Sequence, residues 1–449
     1  MRDYIQEIIN LIEENIDSSD LLQALSQYHE SDIADAFLEL EDEILVKLYD
    51  VLPPEMLADI ITYIDEPEKF IDLMDNSDVA MILDNMESND AAELVEVLDE
   101  EDIEEINALI DQETLEDIQL VNSYEDNLIG SIMSTDYIEI KENFTIKEAM
   151  KHVISSAEEV ENINVIYVVD DFGKYLGIVI LRELIRARST DSLKAIIKSN
   201  YPVLLDNGEI DDIDKDILEY ELESYGVVDE NNVLIGIVND ETLIDLQEEE
   251  YKEDYAMLAG MSDMTELNEP IFKSIMKRLP WLIFLLVIGL FVSMLTSSFE
   301  KVILNLTTIV FFQSLILGMA GNTGTQSLAV TISNLNDEDK GIAKILFKEL
   351  LTGFFNGLII GVLSFILVFV FLTLRNTGSG IAFKTSIAVG ISLISSMSIA
   401  AFLGSFVPYI LTKLKVDPAV ASGPFITTIN DIVAIVIYYG LASLLFNLL

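Results

Sequence analysis

Five long apolar stretches close the chain: Pro280–Phe299, Val302–Ser333, Leu350–Leu374, Phe383–Leu411 and Val420–Leu449. Each has the roughly 20 residues that a helix rising about 1.5 Å per residue needs to cross ~30 Å of hydrocarbon. None shows the polar stripe of a helix lying on a soluble core, so all five are expected to span a membrane. The first 128 residues follow another pattern. Apolar residues recur at three and four spacing with almost no glycine, which predicts short helices throughout. Asp32-Ile-Ala-Asp-Ala-Phe-Leu, Asp78-Val-Ala-Met-Ile-Leu and Asp90-Ala-Ala-Glu-Leu-Val form a weak repeat. Each puts an aspartate near a helix start, to complement the dipole and cap the backbone, ahead of an Ala/Leu packing face. Short helices in series predict a helical solenoid, with an irregular helical bundle as the alternative.

A second repeat is sharper. Val168-Val169-Asp170 followed by Gly177-Ile178-Val179 recurs 59 residues later as Val227-Val228-Asp229 and Gly236-Ile237-Val238. Each copy predicts an apolar strand, an acidic turn (Asp171-Phe172-Gly173 or Glu230-Asn231-Asn232), a second strand and a helix. An acidic, helix-favouring run from Asp245 to Glu266 then leads to the first apolar stretch.

Charge separates the same two halves. The 449 residues carry 25 basic and 79 acidic side chains, a net charge of −54, yet 51% are hydrophobic. After Pro270 there are 11 basic and 7 acidic residues; up to it there are 14 and 72. Phosphate would be repelled by so acidic a half, which excludes a nucleic-acid partner. With no cysteine, disulfides, thiolate zinc sites and cysteine nucleophiles are excluded, and His29 and His152 alone cannot build a histidine-rich metal site. No nucleophile–base pair or phosphate loop is visible, so an enzyme is not expected. The first residues lack the basic and apolar regions of a signal peptide. With the N-terminus inside, the inner flanks carry Lys273, Lys277, Arg278, Lys340, Lys344, Lys348, Lys413 and Lys415, against Lys301, Arg375 and Lys384 outside. That bias predicts a multi-pass protein of the cell membrane with its acidic half cytoplasmic and its C-terminus outside.

One acidic residue after Pro270 lies deep in a span: Asp431, within Pro424-Phe-Ile-Thr-Thr-Ile-Asn-Asp-Ile-Val. A carboxylate there costs several kcal/mol unless it lines water, pairs or holds a cation, and no basic residue sits at comparable depth. A protonated carboxyl hydrogen-bonded between helices is the plain alternative. The second stretch contains Gly318-Met-Ala-Gly-Asn322-Thr-Gly-Thr325-Gln-Ser327. Its glycines and polar side chains should face a cavity rather than lipid, close helix packing being the alternative. Together these features predict a pore lined by oxygen ligands, suited to Mg²⁺ or Ca²⁺. Thr427, one turn before Asp431, shares its face.

The 59-residue repeat resembles a tandem pair of cystathionine-β-synthase-type (CBS) domains. Such pairs bind adenosyl ligands through Ser/Thr-x-x-Asp, which here reads Ile180-Leu-Arg-Glu183 and Asn239-Asp-Glu-Thr242, a poor match that leaves ATP as an optional ligand. Gly321-Asn-Thr-Gly-Thr-Gln-Ser327, Asp417-Pro418 and the Pro424…Asp431 segment follow an acidic helical domain, this pair and a connecting helix. In that order they resemble the MgtE family of magnesium channels over essentially the whole chain. The resemblance implies an all-α helical domain (1–128), an α+β tandem CBS pair (129–247), a connecting plug helix (248–269) and a five-helix transmembrane pore domain (270–449). It also implies a homodimer with one central pore, where Asp431 from both subunits holds hydrated Mg²⁺, with Thr427, Asn322 and Thr325 alongside and Asp417 at the inner face. Regulatory Mg²⁺ is implied at Asp211 and Glu221 of the second CBS copy, at Asp245, Glu250, Glu253 and Asp254 of the connecting helix, and at Glu87 or Asp90 of the helical domain. The competing readings are a divalent-cation transporter coupled to H⁺ or Na⁺, and a membrane-tethered adenylate sensor without transport.

Overall fold

A computed structural model describes residues 4–446 other than 16–20, 65, 158–159, 161, 265–268, 336–340, 415, 417 and 419–420. The chain forms two compact units, Met1–Gln247 and Glu248–Leu449.

The first unit opens with short helices from Tyr4–Asn15 to Gln112–Val121. Its apolar residues repeat at four-residue spacing, as in Ile8/Ile12, Ile33/Phe37, Leu57/Ile61 and Val79/Leu83, and all of these are buried. A stripe so narrow serves one contact face, and alternate helices share it: Tyr4–Asn15 packs on Glu30–Phe37, that on Pro54–Thr62, and that on Asn76–Leu83. Asp32, Asp78 and Asp90 occupy first turns, where they favour the helix dipole. They are not the caps expected of them. The capping positions are His29, Asp75 and Glu87, and of these only the His29 ring accepts a backbone N–H, from Ser31 at 3.2 Å.

Two three-stranded sheets follow. β1 (Ile138–Lys141) runs parallel to β2 (Val165–Val169), which pairs antiparallel with β3 (Tyr175–Ile180). β4 (Leu204–Leu205), β5 (Ser224–Val228) and β6 (Leu234–Asn239) repeat that order. The hairpin strands start 59 residues apart, and each hairpin slips register at the matching point, Val168/Val169 and Val227/Val228. The copies complete one another: Ile178 exchanges backbone hydrogen bonds with Lys198, and Ile237 with Ser134. At the centre Tyr167 Oη lies 2.9 Å from Ser224 Oγ, both fully buried. The helical part docks on this pair through Ser88, whose hydroxyl accepts from Thr135 N at 2.7 Å while its N–H donates to Asp136 at 3.2 Å.

The connecting helix runs Asp240–Ala259, so it begins inside the stretch assigned to the second sheet copy. Five further helices matter to the site and are named here by a characteristic residue. They are the proline helix (Ile271–Ser297), the glycine helix (Gln313–Leu335), the glutamate helix (Ile342–Leu374), the serine helix (Ser379–Lys413) and the aspartate helix (Gly423–Phe446). Among the described residues four of them, all but the glycine helix, are long and apolar enough to cross a membrane. The glycine helix has the length but interrupts its apolar run with the Asn322–Ser327 polar segment.

Two boundaries differ from expectation. Pro280 does not start a span but sits inside the proline helix. The stretch expected as one helix over Val302–Ser333 breaks into Glu300–Asn305, Thr307–Val310 and Gln313–Leu335, with Leu306 at φ −136°, ψ 64°. Tertiary partners satisfy groups at the break: Tyr438 Oη donates to the Ile309 carbonyl and Tyr439 Oη to Gln313 Oε1, each at 2.6 Å. In the glutamate helix, Gly353, Gly357 and Gly361 fall on one face and let the serine helix backbone approach at Met397, Ile394 and Gly390.

Candidate ion pathway

The glycine and aspartate helices run antiparallel, because Gln313 near the start of one meets Tyr439 near the end of the other. Their contact is close where glycine leaves room. A Cβ on Gly321 would lie 2.7 Å from Thr427 Cγ2, and one on Gly324 would collide with the Asn430 amide. On its other flank Gly324 offers its carbonyl oxygen to the backbone of Gly404 in the serine helix.

Thr325 and Thr427 meet at this contact, with their hydroxyl oxygens 3.4 Å apart. Thr325 also donates to the Gly321 carbonyl at 3.1 Å, an i−4 bond that spends its proton within the helix. That leaves its lone pairs toward Thr427. Asp431 follows Thr427 by one helical turn on the same face and is half-buried. Asn322 and Gln326 flank Thr325 on the outer side of the glycine helix and are exposed. The region therefore presents hydroxyl, amide and carboxylate oxygens, hard donors that suit a hydrated divalent cation. Of the candidate pore residues, Thr325, Thr427 and Asp431 are brought together, Asn322 lies at the rim, and Asp417 lies outside the described residues.

The candidate regulatory acids are scattered by comparison. Asp211, in the turn Ile210–Asp212, and Glu221, in the left-handed conformation at φ 52°, are exposed. Asp245, Glu250 and Glu253 are exposed along the connecting helix, and Asp254 is half-buried. Glu87 accepts from Asn239 Nδ2 at 2.8 Å, and Asp90 accepts from Asn89 Nδ2 at 2.7 Å and from Thr62 Oγ1 at 3.4 Å. Among the described residues no three acids or histidines converge tightly enough to hold a metal ion. Mg²⁺ bound there would keep most of its own water, as that ion prefers. The positions of the nucleotide motif make internal contacts: Glu183 pairs with Lys198 at 3.0 Å, and Asn239 with Glu87.

Sequence reasoning missed four features. Asn430, beside Asp431, is 1% exposed, and neither its amide oxygen nor its nitrogen has a protein partner. Glu349, read as a helix-end charge, is 6% exposed. Asp136 and Asp117 lie where the helical part meets the sheets, and burial pushes both carboxyls above their ordinary range, reinforced by each other's charge at Asp136. The fourth is the foot of the connecting helix. Gly260 ends it at φ +77°, Leu258 packs on Leu328, Ala421 and Ile426, and the Leu258 carbonyl approaches Gly423 at the start of the aspartate helix. Below it, the Lys277 ammonium reaches Asp263 at 2.7 Å, the Met264 carbonyl at 2.7 Å and Glu269 at 3.3 Å, holding the Asp263 carboxyl below its usual range. Only Gly260 carried a local signal, as a glycine closing a helix.

Comparison with known proteins matches residues 313–441 to a family described as divalent cation transporter, residues 28–127 to the MgtE intracellular N domain and residues 129–190 to a CBS domain. The magnesium transporter MgtE of Enterococcus faecalis is 35% identical over 325 residues, 72% of this chain and 70% of that protein. That of Bacillus subtilis is 35% identical over 331 residues, 72% and 71% of the two chains. The crystal structure of the soluble part of a magnesium transporter superposes with a TM-score of 0.51 at 25% identity, covering 55% of this chain and 99% of that one.

Proposed function

The chain belongs to the MgtE family of magnesium transporters, and from that premise we propose that it is a Mg²⁺-selective channel through which magnesium enters the cell. The observation that carries the reading is the grouping of Asp431 with the Thr325–Thr427 hydroxyl pair on a close-packed pair of helices. Mg²⁺ gives up its water reluctantly, so carboxylates that grip a hydrated ion suit it better than a full protein cage. One Asp431 supplies a single charge. In this reading two copies of the chain meet across the face bearing Asn322 and Gln326, which would be costly against lipid, and the paired carboxylates form the filter.

The finer architecture belongs to the same reading. All five helices from the proline helix to the aspartate helix cross the bilayer, with the N-terminus inside and the C-terminus outside. Residues 1–128 form a solenoid, 129–247 the CBS pair, 248–269 the connector and 270–449 the pore domain.

The acidic half supplies the gate. Two carboxylates ~6 Å apart repel by roughly 1–3 kcal/mol at an effective dielectric of about 20–40. Moving a gate from mostly open to mostly shut takes about 5.5 kcal/mol, more than one bridging ion supplies and within reach of several. Cytosolic Mg²⁺ held among Asp211, Glu221, Asp245, Glu250, Glu253, Asp254, Glu87 and Asp90 thus removes repulsion and closes the pore. At low Mg²⁺ the acids repel and the pore is released. Growth rescue of a cell lacking its own Mg²⁺ transport tests the function. The wild-type chain is expected to restore growth at low Mg²⁺ and Asp431→Ala to fail, whereas rescue by Asp431→Ala would remove the filter from the account.

A further inference from the structure

Glu349 is a carboxylate buried seven residues inside the glutamate helix, and among the described residues no Lys or Arg lies within ion-pair distance of it. Its partner is Ser327 of the glycine helix, whose hydroxyl donates to Glu349 Oε2 at 2.8 Å. Ser327 is itself 3% exposed, so this bond is made out of water, where a hydroxyl donating to a carboxylate is at its strongest.

The position of Ser327 gives the bond its meaning. Thr325 and Ser327 are two residues apart, so about 200° separates them around the helix. Thr325 faces Thr427 on one side while Ser327 faces Glu349 on nearly the opposite side. Between them the helix has little else to resist rotation about its axis, since Gly321 and Gly324 offer the aspartate helix smooth backbone instead of interlocking side chains. Side-chain tips lie ~5 Å from a helix axis, so a turn of about 20° moves the Thr325 hydroxyl by roughly 2 Å, enough to break a 3.4 Å contact.

We propose that Glu349 is a positioning residue for ion selection: through Ser327 it fixes the rotation of the glycine helix and so holds Thr325 against Thr427 beside Asp431. The claim about selection rests on the channel reading above; the claim about rotation does not. In this division of labour Asp431 supplies charge to the ion, and Glu349, on the far side of the glycine helix, supplies registration. Glu349 acts as a hydrogen-bond acceptor, which glutamine at the same position also is.

The chain contains no cysteine, so Thr325→Cys with Thr427→Cys makes a clean reporter in the full-length protein in membranes. Disulfide closure under mild oxidation is followed by the loss of maleimide-reactive thiols, and the Mg²⁺-over-Ca²⁺ uptake ratio is measured in proteoliposomes without the reporter cysteines. Ser327→Ala and Glu349→Ala are each expected to slow closure and lower the ratio by about fivefold. The Ser327→Ala/Glu349→Ala double variant should be no worse than either single change, and Glu349→Gln should stay near the parent in both assays. Parent-rate closure in both alanine backgrounds, multiplied effects in the double variant, or equal loss in Glu349→Gln and Glu349→Ala would each overturn the proposal. If the wild-type chain carried no Mg²⁺, the channel reading would fall while the thiol assay still decided the rotation.

Discussion

The hydroxyl oxygens of Thr325 and Thr427 face each other at 3.4 Å across two helices whose approach depends on Gly321. Substituting Gly321 with alanine puts a Cβ 2.7 Å from Thr427 Cγ2, closer than carbon atoms tolerate, so the helices must separate. Gly321→Ala is expected to lower Mg²⁺ uptake by about tenfold. Gly289→Ala, on the proline helix with nothing within 4 Å, should behave as wild type. Uptake in cells at matched membrane levels of protein checks the pair, and equal activity of the two variants would contradict the packing account.

The junction between the helical part and the sheets should titrate. Burial raises the Asp136 carboxyl, opposed by its hydrogen bonds from Ser88 and Ser134, and Asp117 beside it is raised as well. An acid whose folded value lies above its unfolded value binds the proton more tightly when folded. Its stabilising contribution is complete below about pH 4 and is lost as pH rises through the raised value. Melting temperatures of the full chain without Mg²⁺ should therefore fall with rising pH more steeply in the wild type than in Asp117→Asn/Asp136→Asn. Parallel pH profiles would show that this pair contributes nothing to the trend.

Trp281 is the single tryptophan of the chain and packs against Gly260 at the foot of the connecting helix. A Cβ on Gly260 would lie 2.5 Å from the indole, and the φ of +77° disfavours any side chain there by about 1–2 kcal/mol. If cytosolic Mg²⁺ moves the connecting helix, the indole environment changes with it. Intrinsic fluorescence is expected to shift over a millimolar Mg²⁺ titration in the wild type and to lose most of that response in Gly260→Ala. An emission spectrum unchanged from zero to high-millimolar Mg²⁺ would separate this contact from gating.

How far the sequence reaches can be judged residue by residue. The sheet pair was legible because alternating burial leaves a period-two signal and the two copies confirm each other, down to the shared register slip after Val168 and Val227. Asp431 was legible because a lone carboxylate in an apolar run has no cheap explanation. The break at Leu306 was not, since neither glycine nor proline marks it and the groups that satisfy it, Tyr438 and Tyr439, lie more than a hundred residues away. Glu349 was passed over for a related reason. Its depth depends on the glutamate helix starting at Ile342 and on Ser327 meeting it, and neither follows from local pattern. The connecting helix was found, but its foot on Gly423 and the grip of Lys277 on Asp263 are contacts that composition cannot announce.

The central claim is that Asp431 contacts the permeating ion's water shell through its charge. Purified full-length protein in liposomes loaded with a Mg²⁺-sensitive dye reads this directly, with wild type, Asp431→Asn and Asp431→Ala at equal protein density. The account predicts rapid wild-type Mg²⁺ entry, and entry at least tenfold slower in both variants, because asparagine keeps the shape but not the charge. Mg²⁺ entry through Asp431→Asn at the wild-type rate would contradict it.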